Sequence, residues 1–222
     1  MPIHFQNRDR SYFLTTNFKV LFSTLKRQPN LIVAPSKTVF INSIIKKLFH
    51  VNMAKNYLLV RNPYERLESF YRDKFINHPC IINSTEKNPW QHCQRIFFKE
   101  LGLSKSNFFE IKSTLTNTSF EQFIYLLSLK HIRDMHLIPQ VYALDISYRR
   151  FNIKIKFDKV LKIEDENCMH FLKNRLDIDT SIRENYTKHL EIITEWDANL
   201  RKIVNSLYKD DFIQFKYEML NR

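Results

Sequence analysis

Twice near its N-terminus the chain sets a short unbroken apolar run directly before an amphipathic helix pattern. Residues 31–34, LIVA, are closed by Pro35, and from Ser36 to Phe49 the residues Val39, Ile41, Ile44, Ile45 and Leu48 recur at helical spacing. Residues 56–60, NYLLV, are followed by PYERLESFYRDKF, with Pro63 in the first turn, where its missing N–H is not needed. Unbroken apolar strands are those buried on both faces, as in a parallel sheet. Upstream, SYFLTT (11–16) alternates as a strand does and STLKRQ after it reads as helix. The order strand, helix, strand, helix, strand, helix predicts an α/β fold in three layers, with a central parallel sheet flanked by helices.

The rest of the chain is less regular. Residues 77–92 are rich in Asn, Pro and His and read as loop. WQHCQRIFFKEL reads as a helix that Gly102 closes, and in TSFEQFIYLLSL the pair Ser119 and Gln122 has capping-box spacing. KFDKVLKIED (156–165) reads as a late strand. A helical C-terminal part begins at Thr187, with Leu190, Ile193, Leu200, Ile203, Val204 and Leu207 on one side. No repeat or low-complexity linker interrupts the chain, and 222 residues with 44% hydrophobic content suffice for one full-sized core. A single domain over 1–222 is expected.

Lys+Arg 35 against Asp+Glu 23 leaves a formal charge of +12, which favours an anionic partner: nucleic acid, an anionic membrane, or a phosphorylated or sulfated ligand. Aromatic content of 14% sets the chain apart from a disordered basic tail. Gly102 is the only glycine, so neither G-x-G-x-x-G nor G-x-x-x-x-G-K-[ST] can be written. Cys80, Cys93 and Cys168 are odd in number and widely spaced, as reduced thiols are. A metal site around Cys80, Cys93, His78 and His92 can be drawn, but no C-x-x-C or H-x-x-x-H spacing supports it, so no metal is expected. The absence of a signal-type h-region and of an apolar run near the ~18 residues of a membrane span points to a soluble, cytoplasmic protein.

Two segments have the residue types of an anion site. NFKVLFSTLKR (17–27) follows a strand and opens a helix, and in a parallel sheet such a turn lies at the carboxyl edge, where ligands bind. A helix start offers N–H groups and partial positive charge to a phosphate or sulfate; Lys19 adds a full charge, Ser23 and Thr24 add hydroxyls. The same residues also read as a plain hydroxyl cap beside a surface lysine. In VRNPYERLESFYRDKF (60–75), Arg61 ends the strand, and Leu67, Phe70 and Tyr71 turn to the core. Arg66, Ser69 and Asp73 share the neighbouring face, so Arg61 and Ser69 can converge on one phosphate. The competing picture is a solvated helix in which Glu65, Arg66, Arg72 and Asp73 exchange weak ion pairs. Two such turns at one edge suit a ligand with two separated phosphate-like groups, with Glu65 and Asp73 left as surface charge.

KVLFSTLKR followed by LLVRNPYERLESFYRDKF resembles the two cofactor-binding motifs of the sulfotransferases, most closely the carbohydrate group of chondroitin and HNK-1 type. The first family motif runs Pro-Lys-Val-x-x-Ser/Thr-x-x-Lys; here Phe18 stands in place of the proline and Phe22 in place of a small residue. The second runs Arg-x-Pro-Phe/Tyr-Glu-Arg-Leu-x-Ser-x-Tyr-Arg-x-Lys-Phe and is matched densely. FEQFIYLL (120–127), DMHLIPQ (134–140), FDKVLKIEDEN (157–167) and LYKDDFIQFKY (207–217) follow in the family's order. The likeness runs from about residue 12 to 217, with 77–118 unaligned.

The resemblance implies a P-loop-like fold and sulfuryl transfer from PAPS to a hydroxyl acceptor, a carbohydrate in that group, with PAP as the second product and no metal. It places Lys19 at the bridging oxygen of PAPS, Ser23 and Thr24 at the 5′-phosphosulfate, and Arg61 and Ser69 at the 3′-phosphate. The acceptor hydroxyl needs a general base. His136 matches the family histidine by order; His50, or a glutamate within 164–166, are alternatives, and VAPSK (33–37), where relatives often place a base, offers only Lys37. Two other readings stay open: a basic nucleic-acid-binding protein, and a relative that binds the nucleotide without catalysis.

Overall fold

In the computed structural model, which describes residues 2–49, 53–77, 90–129, 134–148, 151–181 and 195–220, the chain opens with a hairpin that the sequence pattern does not announce. Strand β1 (Ile3–Asn7) pairs antiparallel with β2 (Tyr12–Thr16). Asn7 closes the turn: its carbonyl accepts from the Arg10 amide at 3.0 Å, its side-chain oxygen from the Tyr12 amide at 2.9 Å, and its NH2 donates to Ser11 Oγ at 2.8 Å. Half of β1 is polar, so it lacks an apolar signature, yet His4 is buried against Thr15 at 2.9 Å on the opposite strand. Burial pushes the His4 imidazole down to about 4, which keeps it neutral.

Helix α1 (Phe22–Lys26) leads to β3 (Leu31–Ala34), α2 (Ser36–Phe49), β4 (Lys55–Val60) and α3 (Pro63–Tyr71). After the single turn α4 (His92–Arg95) come α5 (Phe108–Asn117), α6 (Phe120–Ser128), the hairpin β5 (Asp145–Tyr148) and β6 (Phe151–Lys154), then β7 (Lys159–Lys162), α7 (Glu166–Leu176), α8 (Ala198–Leu207) and α9 (Lys209–Phe215). The main sheet runs β3-β1-β2-β4-β7. Strands β2, β4 and β7 are parallel neighbours, whereas β1 is antiparallel to both β2 and β3. The expected parallel sheet is therefore a mixed one. The reason is local: a connection as short as residues 8–11 can join only antiparallel strands.

Helices cover both faces; the unbroken apolar run of β4 is buried as such a run requires, whereas that of β3, at the edge of the sheet, leaves Ile32 and Val33 exposed. Leu59 packs with Leu14, Leu161 and Leu172 of α7, while Leu58 and Val60 pack on the opposite side with Ala143 and Phe215. Phe13 joins Val39 and Phe40 of α2 on that second side. A further core gathers around α3, where Phe70, Phe75, Phe97 and Phe123 meet with α5, α6 and α8. The Ser119–Gln122 capping box forms, at 3.1 Å and 2.8 Å.

Three helix expectations are adjusted. The segment after Pro63 is α-helical only to Tyr71; residues 72–76 form a π-helical turn, with the Asn77 amide bonded to the Arg72 carbonyl at 2.9 Å. WQHCQRIFFKEL yields one helical turn and then successive turns, ending at Gly102 with φ 71°. In the tail, α8 breaks at Tyr208 before α9, and Leu190 and Ile193 lie outside the described residues, as do His50, His78 and Cys80. No described helix is long and apolar enough to cross a membrane.

Candidate functional site

Strands β2, β4 and β7 end at one edge of the sheet, at Thr16, Val60 and Lys162. The segments that leave them enclose a cleft of about 460 Å³. Lys19, Ser23 and Thr24 line it from the β2 side, Arg61 and Ser69 from the β4 side, and His136 from a loop that crosses above α3. All six residues singled out in the sequence thus meet around one cavity.

The β2–α1 turn is built without glycine. Lys19 and Leu21 both take left-handed backbone conformations, with φ 68° and 55°, each at a cost of about 1–3 kcal/mol for a residue with a side chain. Thr16 secures the turn: its hydroxyl donates to the Val20 carbonyl at 2.6 Å, and Val20 is fully buried. Leu21 occupies the cap of α1 and supplies no side-chain cap, so Ser23 and Thr24 sit inside the helix instead of capping it.

Asp73 is not surface charge. The π-helical turn carries Asp73 and Lys74 to the cleft, both buried. The Lys19 ammonium donates to the Asp73 carboxylate, and Lys74 Nζ lies 2.8 Å from the same oxygen. Burial raises the Asp73 carboxyl, but the two lysines outweigh it and hold the group below the usual carboxylate range. Burial pushes the Lys19 ammonium down to about 8; Asp73 opposes that shift and Lys74 adds to it.

Arg61 is fixed through its backbone. Gln140 accepts from its amide at 2.9 Å and donates to its carbonyl at 2.7 Å, and Asp211 in turn accepts from the Gln140 and Val141 amides, both at 2.8 Å. The guanidinium lies 3.5 Å from the Lys19 carbonyl and 3.5 Å from Glu65, while its buried Nε has no partner among the described residues. Asn62 caps α3 by accepting from the Tyr64 amide at 3.0 Å.

The His136 imidazole stacks on Phe18, with centroids 4.4 Å apart, and its Nδ1 lies 2.8 Å from Asp134. Asp134 also receives His92 at 2.9 Å; despite burial, the hydrogen bonds from His136 and His92 hold its carboxyl down at about 2. An ionised Asp134 makes Nδ1 the protonated nitrogen and leaves the Nε2 lone pair for a proton. Burial lowers the His136 basicity, partly offset by Asp134. Glu164, the other base candidate in this cleft, has both oxygens engaged, by the Asn62 amide and by Tyr217 Oη. Glu166 is exposed in the first turn of α7.

Cys93 also reaches this corner: its sulfur and ligand atoms of Asp134 and His136 lie within 4.8 Å of one another. Burial pushes the thiol up to about 11, so it stands there as a neutral group beside an existing Asp–His hydrogen bond.

The sequence pattern missed Asp73, Lys74, Asp134, Gln140 and Arg66. Asp73 shares a helical face with Ser69, which is the signal that was available. Arg66 is 2% exposed, which rules out for it the competing picture of a solvated ion-pair network.

The model of a family described as the sulfotransferase family matches residues 18–218. No curated protein and no solved structure matches the chain significantly.

Proposed function

The chain belongs to the sulfotransferase family, and from that membership we propose that it is a single P-loop-like domain that moves a sulfuryl group from PAPS to a hydroxyl acceptor, a carbohydrate by its motifs. The observation that carries this reading is the meeting of Lys19, Arg61, Ser69 and His136 around one cleft at the carboxyl edge of β2, β4 and β7.

Sulfuryl transfer needs the donor held in line with the acceptor and the charge on the leaving oxygen stabilised. Lys19 supplies that charge where PAPS loses its sulfuryl group, with Ser23 and Thr24 donating to the 5′ end. Arg61 and Ser69 hold the 3′-phosphate, and the Arg61 Nε, which has no partner among the described residues, is a donor for it. His136 takes the acceptor proton on Nε2 as the new S–O bond forms, and PAP leaves with the electrons of the broken bond. Asp134 holds the ring in the tautomer that this needs, and steadies the imidazolium formed. Phe18 packs against the ring where the family has proline, so the departure from the motif supplies a wall for the base.

One observation favours a second reading, a nucleotide-binding relative without catalysis: within the cleft the Lys19 ammonium is already engaged by Asp73. Transfer of label from sulfur-labelled PAPS to a panel of hydroxyl acceptors separates the two. Product that disappears in Lys19→Ala supports the enzyme; PAP binding with no transfer to any acceptor supports the relative.

A further inference from the structure

The loop that presents His136 is held by three consecutive backbone carbonyls. Arg66, on α3, donates through Nη2 to the carbonyls of His136 at 2.9 Å and Ile138 at 2.8 Å. Tyr208, at the break between α8 and α9, donates to the carbonyl between them, Leu137, at 2.6 Å. Both side chains are buried, Arg66 at 2% and Tyr208 at 3% exposure. A guanidinium in that position is expensive: burial lowers its tendency to hold a proton, and its Nε has no partner among the described residues. Buried charged groups are weak evidence of stabilisation in themselves, since well-packed apolar replacements are often neutral or better. What an apolar residue cannot do is fix two carbonyls of an irregular loop at once.

We propose that Arg66 and Tyr208 form a clamp that sets the position of the His136 imidazole in the cleft, and that both are positioning residues for the proton transfer. The clamp rests on the sulfotransferase reading only for its consequence, not for its geometry. The same loop ends at Gln140, which fixes Arg61 through both of its backbone groups. Base and phosphate-binding cation are thus mounted on one short segment, held from below by α3 and from behind by the α8–α9 break. The groups facing His136 come from several elements: Asp134 on its own loop, Lys74 from the π-helical turn, Lys19 from the β2–α1 turn, Cys93 from α4, and the rings of Phe18 and Phe70. A loop freed from its clamp moves the ring out of all of these at once.

The test uses Arg66→Lys, Tyr208→Phe and the wild type, with two readouts. The first is an NMR titration of the His136 ring, assigned with His136→Gln, which needs no turnover. The second is steady-state transfer from labelled PAPS. Arg66→Lys is expected to lower kcat about 100-fold, the scale of a misplaced catalytic group, with the donor KM within about threefold because Asp211 holds Gln140, and through it Arg61, independently of the clamp. Its His136 resonances lose the shifts imposed by the Phe18 and Phe70 rings, and its titration moves up toward the ordinary imidazole range as burial is relieved. Tyr208→Phe removes one hydrogen bond and moves both readouts the same way, with kcat down about tenfold. Should Arg66→Lys fail to fold, Tyr208→Phe, which loses a single oxygen, decides the matter. His136 resonances and titration unchanged in a folded variant overturn the clamp. Moved resonances with unaltered kcat overturn its role in catalysis. If the wild type transfers no sulfuryl group yet the resonances move as stated, the sulfotransferase reading fails and the clamp stands.

Discussion

The Asp73 carboxylate receives the ammonium of Lys19 across the cleft, and Lys74 shares the same oxygen at 2.8 Å. The cation proposed to meet the donor is therefore held by an internal anion, and in the proposed reaction a phosphosulfate has to take the place of that anion at Lys19.

The first consequence concerns pH. Lys19 is charged below about 8 and loses its proton above it. An anion bound beside it favours the charged form, so binding takes up a proton once Lys19 is neutral in the free protein. PAP affinity is expected to fall by up to tenfold per pH unit above about pH 8, measured by calorimetry across pH 7–10. Lys19→Ala should remove this dependence together with turnover.

Asp73→Asn removes a like charge from an anion site. At pH 6.5 it should bind PAP at least about tenfold more tightly: one unit charge at about 4 Å and an effective dielectric near 20 is worth about 4 kcal/mol, of which the neighbouring Lys74 screens a part. Because Asp73 raises the Lys19 value, its loss moves the alkaline fall in affinity to lower pH. Weaker binding at pH 6.5 would show that Asp73 organises the site instead of competing for it.

His136→Ala should lower kcat by about 10²–10⁴ while leaving PAP affinity unaltered, since the ring is assigned to the acceptor proton. Asp134→Asn should act in the same direction. Asp134 raises the His136 value, so without it the acid limb of the kcat profile shifts to lower pH while the plateau falls. A pH–rate profile of both variants checks the two signs.

The aromatic core beside α3 sets stability more than chemistry. Phe123 is fully buried among Phe70, Phe75 and Phe97, with ring centroids 5.1–5.8 Å away. Phe123→Ala should lower unfolding free energy by about 3–5 kcal/mol in denaturant titration.

Much of this site was legible because its residues sit at fixed offsets from apolar strands. Arg61 follows NYLLV directly, and Ser69 lies on the same helix at a spacing that fixes its face. Lys19 follows the alternating YFLTT. What was not legible has physical reasons. Strand β1 is half polar, and a strand buried through hydrogen bonds such as His4–Thr15 shows no hydrophobic pattern. Asp73 keeps the face it shares with Ser69, but Lys74 reaches the cleft through a π-helical turn, which breaks the 3.6-residue period on which face assignments rest. Arg66 bonds to carbonyls seventy and more residues away, and no local spacing announces such partners.

The most direct test of the account is calorimetric binding of PAP against the same nucleotide without its 3′-phosphate. Micromolar PAP binding, at least about tenfold tighter than the control and with that preference lost in Arg61→Ala and Ser69→Ala, is the predicted result. Equal affinity for the two nucleotides, or no PAP binding alongside salt-sensitive binding of random oligonucleotides, would contradict it.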